Sequence, residues 1–145
     1  MGAKIRHIAF SVADPDAAAD FYIKAFGLEK VGESHNPTAD GVYLSDGTIS
    51  LALLKYKIDE PVGAGKTKDW IGLHHIGFWA DDAGETCRDA EAAGATWMMG
   101  EVAAGEGAFY EVKYTDPDGN IFDITHNGWK GAVKDGPTNE TGDVQ

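Results

Sequence analysis

The chain has 145 residues, which suits one domain whose parts share a single core. Its 24 acidic and 12 basic side chains give a net charge of −12, which argues against nucleic acid or an anionic membrane surface as a partner. The single cysteine, Cys87, excludes an internal disulfide and a thiolate metal cluster. No apolar run approaches the ~20 residues of a transmembrane helix, and residues 1–6 contain no apolar signal core, so we expect a cytoplasmic protein.

The first half of the chain predicts one strand, one helix and three further strands. Residues 4–12 are rich in branched and aromatic side chains, which favours a strand. Asp14 and Pro15 are typical of a helix start, and Gly27 predicts its end after Phe26. Three strands are then predicted over residues 28–34, 41–44 and 48–56. We treat residues 4–56 as one module.

The second half repeats this order after a glycine-containing linker, residues 57–72. A strand over residues 73–80 precedes a helix that begins after Asp82 and ends at Gly94. Strands are predicted over residues 96–99, 109–115 and 120–125, with a glycine-rich acidic loop at 100–107. This second module spans residues 73–128. Together the modules form a single domain, residues 1–130, followed by a tail over 131–145 that we expect to be loose.

A repeated sequence pattern links the two halves. His7-Ile8-Ala9-Phe10 and His75-Ile76-Gly77-Phe78 share the pattern H-I-small-F. The two histidines are 68 residues apart, as are Asp14 and Asp82. A repeat of this length indicates one module used twice. If the modules pack about a pseudo-two-fold axis, His7 and His75 converge on one site.

The paired modules and one local motif resemble the vicinal oxygen chelate superfamily. Its most specific signature here is the stretch Tyr114-Thr115-Asp116-Pro117-Asp118-Gly119-Asn120-Ile121-Phe122-Asp123. The superfamily includes glyoxalase I, methylmalonyl-CoA epimerase, fosfomycin-resistance thiol transferases, extradiol dioxygenases and bleomycin-resistance proteins. The resemblance covers roughly residues 4–128 and implies an α+β fold, in which two tandem βαβββ modules form a cupped mixed sheet.

By this resemblance, three residues occupy positions that bind a divalent metal in other members: His7, His75 and Asp123. The fourth ligand position falls within residues 50–52, and Ala52, the preferred match, cannot bind a metal. Asp123 stands where Glu is usual, and its side chain is one methylene shorter. Two imidazoles and one carboxylate nevertheless suit Fe, Mn, Co, Ni or Zn and leave positions open for a substrate.

Several other residues are candidates for roles around the metal. Glu111 and Lys113 share a strand face that the resemblance directs into the cup, which suggests catalytic roles for both and substrate binding by Lys113. Trp79 shares a face with His75 and is expected to form an aromatic wall of the pocket. Gly77 and Ala9 are small and would leave room for a ligand. His74 and His126 are expected to face away, whereas His35 could reach the cup mouth.

The residues leave two functions open. The first is a divalent-metal-dependent enzyme acting on a small oxygenated metabolite, with extradiol-dioxygenase-like chemistry slightly favoured over glyoxalase, lyase or thiol-transferase chemistry. The second is a metal-free, dimeric drug-binding protein of the bleomycin-resistance type, for which the net charge of −12 would suit a cationic ligand. By analogy with the superfamily we expect a homodimer. The sequence leaves open whether the cup forms within one chain or across two.

Overall fold

The first module begins with a strand and a helix whose ends are fixed by local chemistry. The structure is a computed structural model that describes residues 2–102 and 109–136. Asp14 accepts hydrogen bonds from the backbone N–H groups of residues 16 and 17, and Gly27 ends the helix with a φ of 71°. The elements of this module are β1 (Lys4–Ser11), α1 (Pro15–Phe26), β2 (Glu29–His35), β3 (Ala39–Ser45) and β4 (Ser50–Tyr56).

The second module has the same order of elements, as the sequence predicts. Between the modules, the predicted linker contains a short 3₁₀ helix, Glu60–Val62. Asp82 caps the second helix by accepting a hydrogen bond from the backbone N–H of Glu85. The elements of this module are β5 (Gly72–Trp79), α2 (Ala83–Ala92), β6 (Thr96–Met99), β7 (Val112–Thr115) and β8 (Ile121–Thr125). The glycine-rich loop predicted at residues 100–107 lies mostly outside the described residues.

The eight strands form one mixed sheet in the order β2-β3-β4-β1-β5-β8-β7-β6. β1 and β5 pair antiparallel at the centre, and each pairs in parallel with the last strand of its own module. We call the β1–β5 pair the seam. Outward from the seam, the strands of both modules follow in the same order (first, fourth, third, second), which confirms the α+β fold with two βαβββ modules. The pseudo-two-fold axis passes between β1 and β5.

The two faces of the sheet have different uses. On the outer face, α1 packs over Val42, Leu44 and Leu53, and α2 packs over Val112 and Ile124. Alternation along a strand sends the neighbouring side chains to the inner face. Tyr43, Ala52 and Asp123 therefore point into the cup.

Two β-bulges occur at equivalent points of the seam. In β1 the bulge falls at Arg6, immediately before His7, and in β5 it falls at His74, immediately before His75. A bulge adds one unpaired residue and redirects its side chain. The two modules therefore share not only the order of their strands but also a β-bulge immediately before the histidine.

The C-terminal segment (residues 126–134) crosses from β8 back to the first module. Ser45 Oγ donates to the carbonyl of Gly131 at 2.6 Å, and the Val133 N–H donates to the carbonyl of Thr48 at 3.0 Å. The guanidinium of Arg6 donates to the carbonyls of Val133 (2.7 Å) and Lys134 (3.0 Å). The tail predicted to be loose over 131–145 is thus attached at residues 131–134, while residues 137–145 lie outside the described residues.

Within residues 2–102 and 109–136, no helix has the length and apolarity needed to cross a membrane.

Candidate metal centre

A cavity of about 690 Å³ opens on the inner face of the sheet. Its walls come from both modules, from the linker and from the C-terminal segment. The residues at its floor and around it include His7, His75, Ser50, Ala52, Tyr43, Tyr56, Glu111, Lys113, Trp129 and Lys130. Both modules of the chain therefore contribute residues to this pocket.

Three potential metal-ligating atoms meet at the floor of this cavity. His7 Nε2 lies 3.3 Å from His75 Nε2, and His75 Nε2 lies 3.2 Å from Asp123 Oδ2. The three ligand atoms lie within 4.8 Å of one another. The side chains are 3%, 3% and 0% exposed, respectively. The two histidines that the repeat predicts to converge do so, from strands on opposite sides of the seam.

The protonation of this cluster favours a cation between its members. Burial, followed by the charge of His75, lowers the pKa of His7 to about 3. Burial and the charge of Lys113 lower the pKa of His75 well below its usual value. Both imidazoles are therefore neutral at neutral pH, and the close approach of His75 to Asp123 is not an ion pair.

The carboxylate carries the strongest evidence that the cluster fits a metal ion. Within the described part of the chain, Asp123 Oδ2 is buried and has no hydrogen-bond partner. Leaving a buried carboxylate oxygen unsatisfied is costly. A divalent cation would satisfy this oxygen and the adjacent imidazole lone pairs together, and two histidines with one carboxylate are a common ligand set for such ions.

Lys113 and Glu111 surround the other side of this carboxylate. Lys113 Nζ donates to Asp123 Oδ1 at 2.7 Å and lies 3.7 Å from Glu111 Oε2. Burial and the nearby charge of Asp123 raise the pKa of Glu111, and Lys113 opposes this only in part. Both candidate catalytic residues thus lie at the cavity beside the cluster.

Trp129 forms the aromatic wall that the sequence analysis assigns to Trp79. Its indole stacks on the ring of His7, with centroids 4.7 Å apart and planes 6° apart, and its N–H donates to Glu111 Oε1 at 3.0 Å. Trp79 is not among the cavity-lining residues of the described chain, because its N–H donates to the carbonyl of His126 at 2.9 Å and its ring covers Gly128.

Gly77 does not leave room for a ligand, contrary to expectation. A Cβ at this position would lie 2.6 Å from the indole of Trp129 and 2.8 Å from His7 Cβ. The missing side chain is what allows Trp129 to reach the ring of His7 across β5. Trp129 follows the last strand, where the alternation of side chains along a strand no longer indicates which way a side chain points.

His74 does not face away from the site. Because it is the bulge residue of β5, its ring lies edge-on to His75, and the two Nδ1 atoms are 2.7 Å apart. An ideal strand alternates side chains, and a bulge cannot be read from the sequence alone. His35 is exposed and pairs with Asp40 at 2.9 Å, and neither His35 nor His126 lies among the described residues that line the cavity.

The register of the central strands identifies which residue of the first module corresponds to Asp123 of the second. His7 pairs with Ser50 and Ala9 pairs with Ala52, while in the second module His75 pairs with Ile121 and Gly77 pairs with Asp123. Ala52 is therefore the pseudo-symmetric equivalent of Asp123, and it lines the cavity at 1% exposure. In the same way, Tyr43 opposite Ala52 corresponds to Lys113 opposite Asp123.

The sequence between residues 4 and 124 matches the model of the Glyoxalase/Bleomycin resistance protein/Dioxygenase superfamily. The chain belongs to this superfamily. No curated protein matches the sequence.

Several solved structures share this architecture. A variant of methylmalonyl-CoA epimerase from Streptomyces coelicolor, in complex with 2-nitronate-propionyl-CoA, is 23% identical with a TM-score of 0.70, and the match covers 86% of this chain and 96% of the epimerase. A Bacillus halodurans protein described as hypothetical is 18% identical with a TM-score of 0.71 (96% and 100% covered). Methylmalonyl-CoA epimerase from Mycobacterium tuberculosis is 17% identical with a TM-score of 0.64 (85% of each chain covered). At these identities the likeness establishes the fold alone.

Proposed function

We propose that this superfamily member is a divalent-metal-dependent enzyme that acts on a small oxygenated metabolite. The observation that carries the proposal is the buried cluster of His7, His75 and Asp123, in which one carboxylate oxygen has no hydrogen-bond partner among the described residues. The cluster lies at the floor of a cavity of about 690 Å³, which is within the size range of small-molecule sites.

A metal ion held by these three residues would supply a Lewis acid for two neighbouring substrate oxygens and, if it were iron, redox chemistry with O₂. The protein's own groups have separate tasks around it. Lys113 holds Asp123 Oδ1 and so directs Oδ2 toward the imidazoles. Glu111 faces the cavity with its pKa raised by burial, which suits it to exchange a proton with a bound substrate.

Two reactions suit this arrangement. Ring-cleaving dioxygenation of a catechol is our first candidate, because two histidines and one carboxylate leave several coordination positions open. Proton transfer next to a carbonyl, as in an isomerase, is the second. This reaction needs a carboxylate base beside the metal. Ala52 supplies none on the opposite strand, so Glu111, which lies beside the cluster, would be the base.

Metal analysis tests the proposal directly. Protein purified without a histidine tag or chelator is analysed for Fe, Mn, Co, Ni and Zn as wild type, as His75→Ala and as His35→Ala. The last variant removes an exposed histidine that pairs with Asp40 and serves as a matched control. We expect near-stoichiometric metal in wild type and in His35→Ala, and background metal in His75→Ala.

The absence of metal from wild type, even after reconstitution with Fe(II), Mn(II) and Zn(II), would contradict the proposal. The histidines would then be structural, and a metal-free binding protein of the bleomycin-resistance type would take its place. Screening cationic aromatic drugs by tryptophan fluorescence would then be the appropriate assay, with Trp129→Phe to identify the signal of the indole that lines the cavity.

Two assays on metal-loaded protein separate the candidate reactions. Oxygen uptake with simple catechols reports ring cleavage by the iron form. Exchange of substrate hydrogen for deuterium in D₂O, followed by NMR with methylmalonyl-CoA as the first probe, reports proton transfer. Glu111→Gln, which keeps an acceptor for the Trp129 N–H but removes the acid–base group, is expected to slow deuterium exchange about 10²–10⁴-fold.

We also propose that the protein forms a homodimer. Large apolar side chains are exposed on the described surface, among them Phe21 (58%), Ile71 (62%) and Leu73 (55%). A second copy would cover such side chains. Light scattering coupled to gel filtration measures the mass, and a mass of one chain at micromolar concentration would contradict the proposal.

A further inference from the structure

The two nitrogens of His75 have opposite requirements if the ring binds a cation. His75 Nε2 faces His7 and Asp123, so it must present its lone pair to the ion. The ring proton of neutral His75 then lies on Nδ1. This N–H is buried, and a buried donor without an acceptor is costly. The acceptor within reach is Nδ1 of His74, 2.7 Å away.

The backbone of the linker determines that His74 can accept this hydrogen bond. His74 Nε2 lies 2.9 Å from the carbonyl oxygen of Val62, which can only accept. The proton of neutral His74 therefore lies on Nε2, and its Nδ1 keeps a lone pair. Val62 ends the 3₁₀ helix of the linker and is fully buried, so the orientation of its carbonyl is fixed.

Aromatic side chains hold the ring of His74 in this position. The ring of Tyr56 lies 5.1 Å from that of His74, and Trp70 lies edge-on at 6.2 Å. The Tyr56 hydroxyl is 3.3 Å from His74 Nδ1, longer than the contact from His75. Tyr56 is therefore a secondary donor, and His75 is the main one.

We infer that His74 is a positioning residue for the metal centre: it carries a hydrogen-bond chain from the Val62 carbonyl to His75 and fixes which His75 nitrogen presents its lone pair. This inference rests on the proposed function. The linker between the modules would thus contribute to metal affinity through the carbonyl of Val62. A partner of this type commonly contributes 10–100-fold to metal affinity.

Zinc affinity measured by competition with a chromogenic chelator tests the inference on four proteins. His74→Phe keeps an aromatic ring but removes the acceptor, and we expect its zinc dissociation constant to rise 10–100-fold. His74→Gln keeps an amide oxygen for His75 and an amide N–H for the Val62 carbonyl, and we expect affinity close to wild type. His35→Phe is the matched control, because it makes the same change at an exposed histidine that pairs with Asp40, and we expect its zinc affinity to equal that of wild type.

Equal zinc affinity in wild type and a folded His74→Phe would overturn the inference while leaving the proposed function intact. Failure of wild type to bind zinc, Fe(II) and Mn(II) alike would overturn both. Circular dichroism of the metal-free variants establishes whether each is folded.

Imidazole ¹⁵N NMR of zinc-loaded wild type tests the same chain without any variant. We expect a protonated Nε2 on His74, a protonated Nδ1 on His75 and a zinc-bound Nε2 on His75. A proton on Nδ1 of His74 would overturn the inference even if every variant failed to fold.

Discussion

One carboxylate oxygen of Asp123 contacts the ammonium of Lys113, and the other faces the position where we propose the metal ion. Oδ1 accepts a hydrogen bond from Lys113 at 2.7 Å, and Oδ2 faces His75 at 3.2 Å. The residue is fully buried, so its charge requires compensation on both sides. The shorter Asp side chain, where the superfamily usually has Glu, still brings its oxygen within reach of both imidazoles.

Asp123→Asn should separate metal binding from folding. The amide keeps an oxygen for Lys113, and its N–H can donate to the lone pair of His75 Nε2. We therefore expect metal content to fall to background, while the metal-free protein stays folded and loses at most about 3–5 kcal/mol of unfolding free energy, because Glu111 still lies 3.7 Å from Lys113. Elemental analysis and urea unfolding measure the two quantities.

Asp20→Asn is the matched control, because this exposed carboxylate pairs with Lys24 on the helix surface. We expect it to leave metal content unchanged. Wild-type metal content in Asp123→Asn would show that the carboxylate charge is not needed for binding.

At the level of elements, the seam between β1 and β5 is packed too closely for an ordinary side chain at Gly77. A Cβ there would lie 2.6 Å from Trp129. The C-terminal segment is also attached to β1 through Arg6, the bulge residue. The seam and the C-terminal segment therefore both contribute to the position of the His7 ring.

Gly77→Ala should force Trp129 away from His7. We expect a loss of about 1–3 kcal/mol of unfolding free energy, as for other additions to a tightly packed interior, and weaker metal binding. Gly84→Ala in α2 is the control, because its Cβ would meet nothing closer than 3.5 Å, and it should be neutral or stabilising by up to about 1 kcal/mol. Thermal unfolding of both variants measures the difference, and similar stabilities would contradict the packing argument.

The sequence predicts the elements well because their signals are local. Asp14, Pro15 and Gly27 mark α1, and the H-I-small-F repeat places His7 and His75 at equivalent strand positions. Positions that depend on bulges or on segments after the last strand carry no such signal. His74 is the bulge residue of β5, and for this reason the alternation of an ideal strand predicts the wrong side of the sheet for its ring.

On the scale of the whole molecule, the candidate ligands come from both modules. His7 belongs to the first module, and His75 and Asp123 belong to the second. A bound ion therefore joins the modules across their seam. Ligand binding to the folded state alone stabilises the fold as a whole.

Metal should therefore raise the stability of both modules together. At a free metal concentration 100 times the dissociation constant, we expect about 2.7 kcal/mol of added unfolding free energy. For a domain of this size that corresponds to roughly 5–10 °C in Tm. Circular dichroism and tryptophan fluorescence should agree on one midpoint without metal and on one higher midpoint with metal. Metal should not shift the midpoint of His75→Ala. Two separate midpoints would contradict joint unfolding.

The unequal halves of the cavity floor have a consequence for stereochemistry. Asp123 and Lys113 occupy one side, whereas their counterparts Ala52 and Tyr43 occupy the other. A substrate bound across the seam thus meets charged groups over one of its faces and a methyl group and a phenol over the other. With Glu111 on the charged side, the proton transfer proposed above would take place at that face alone. An isomerisation by this route should then give a product of one handedness rather than a mixture of mirror images.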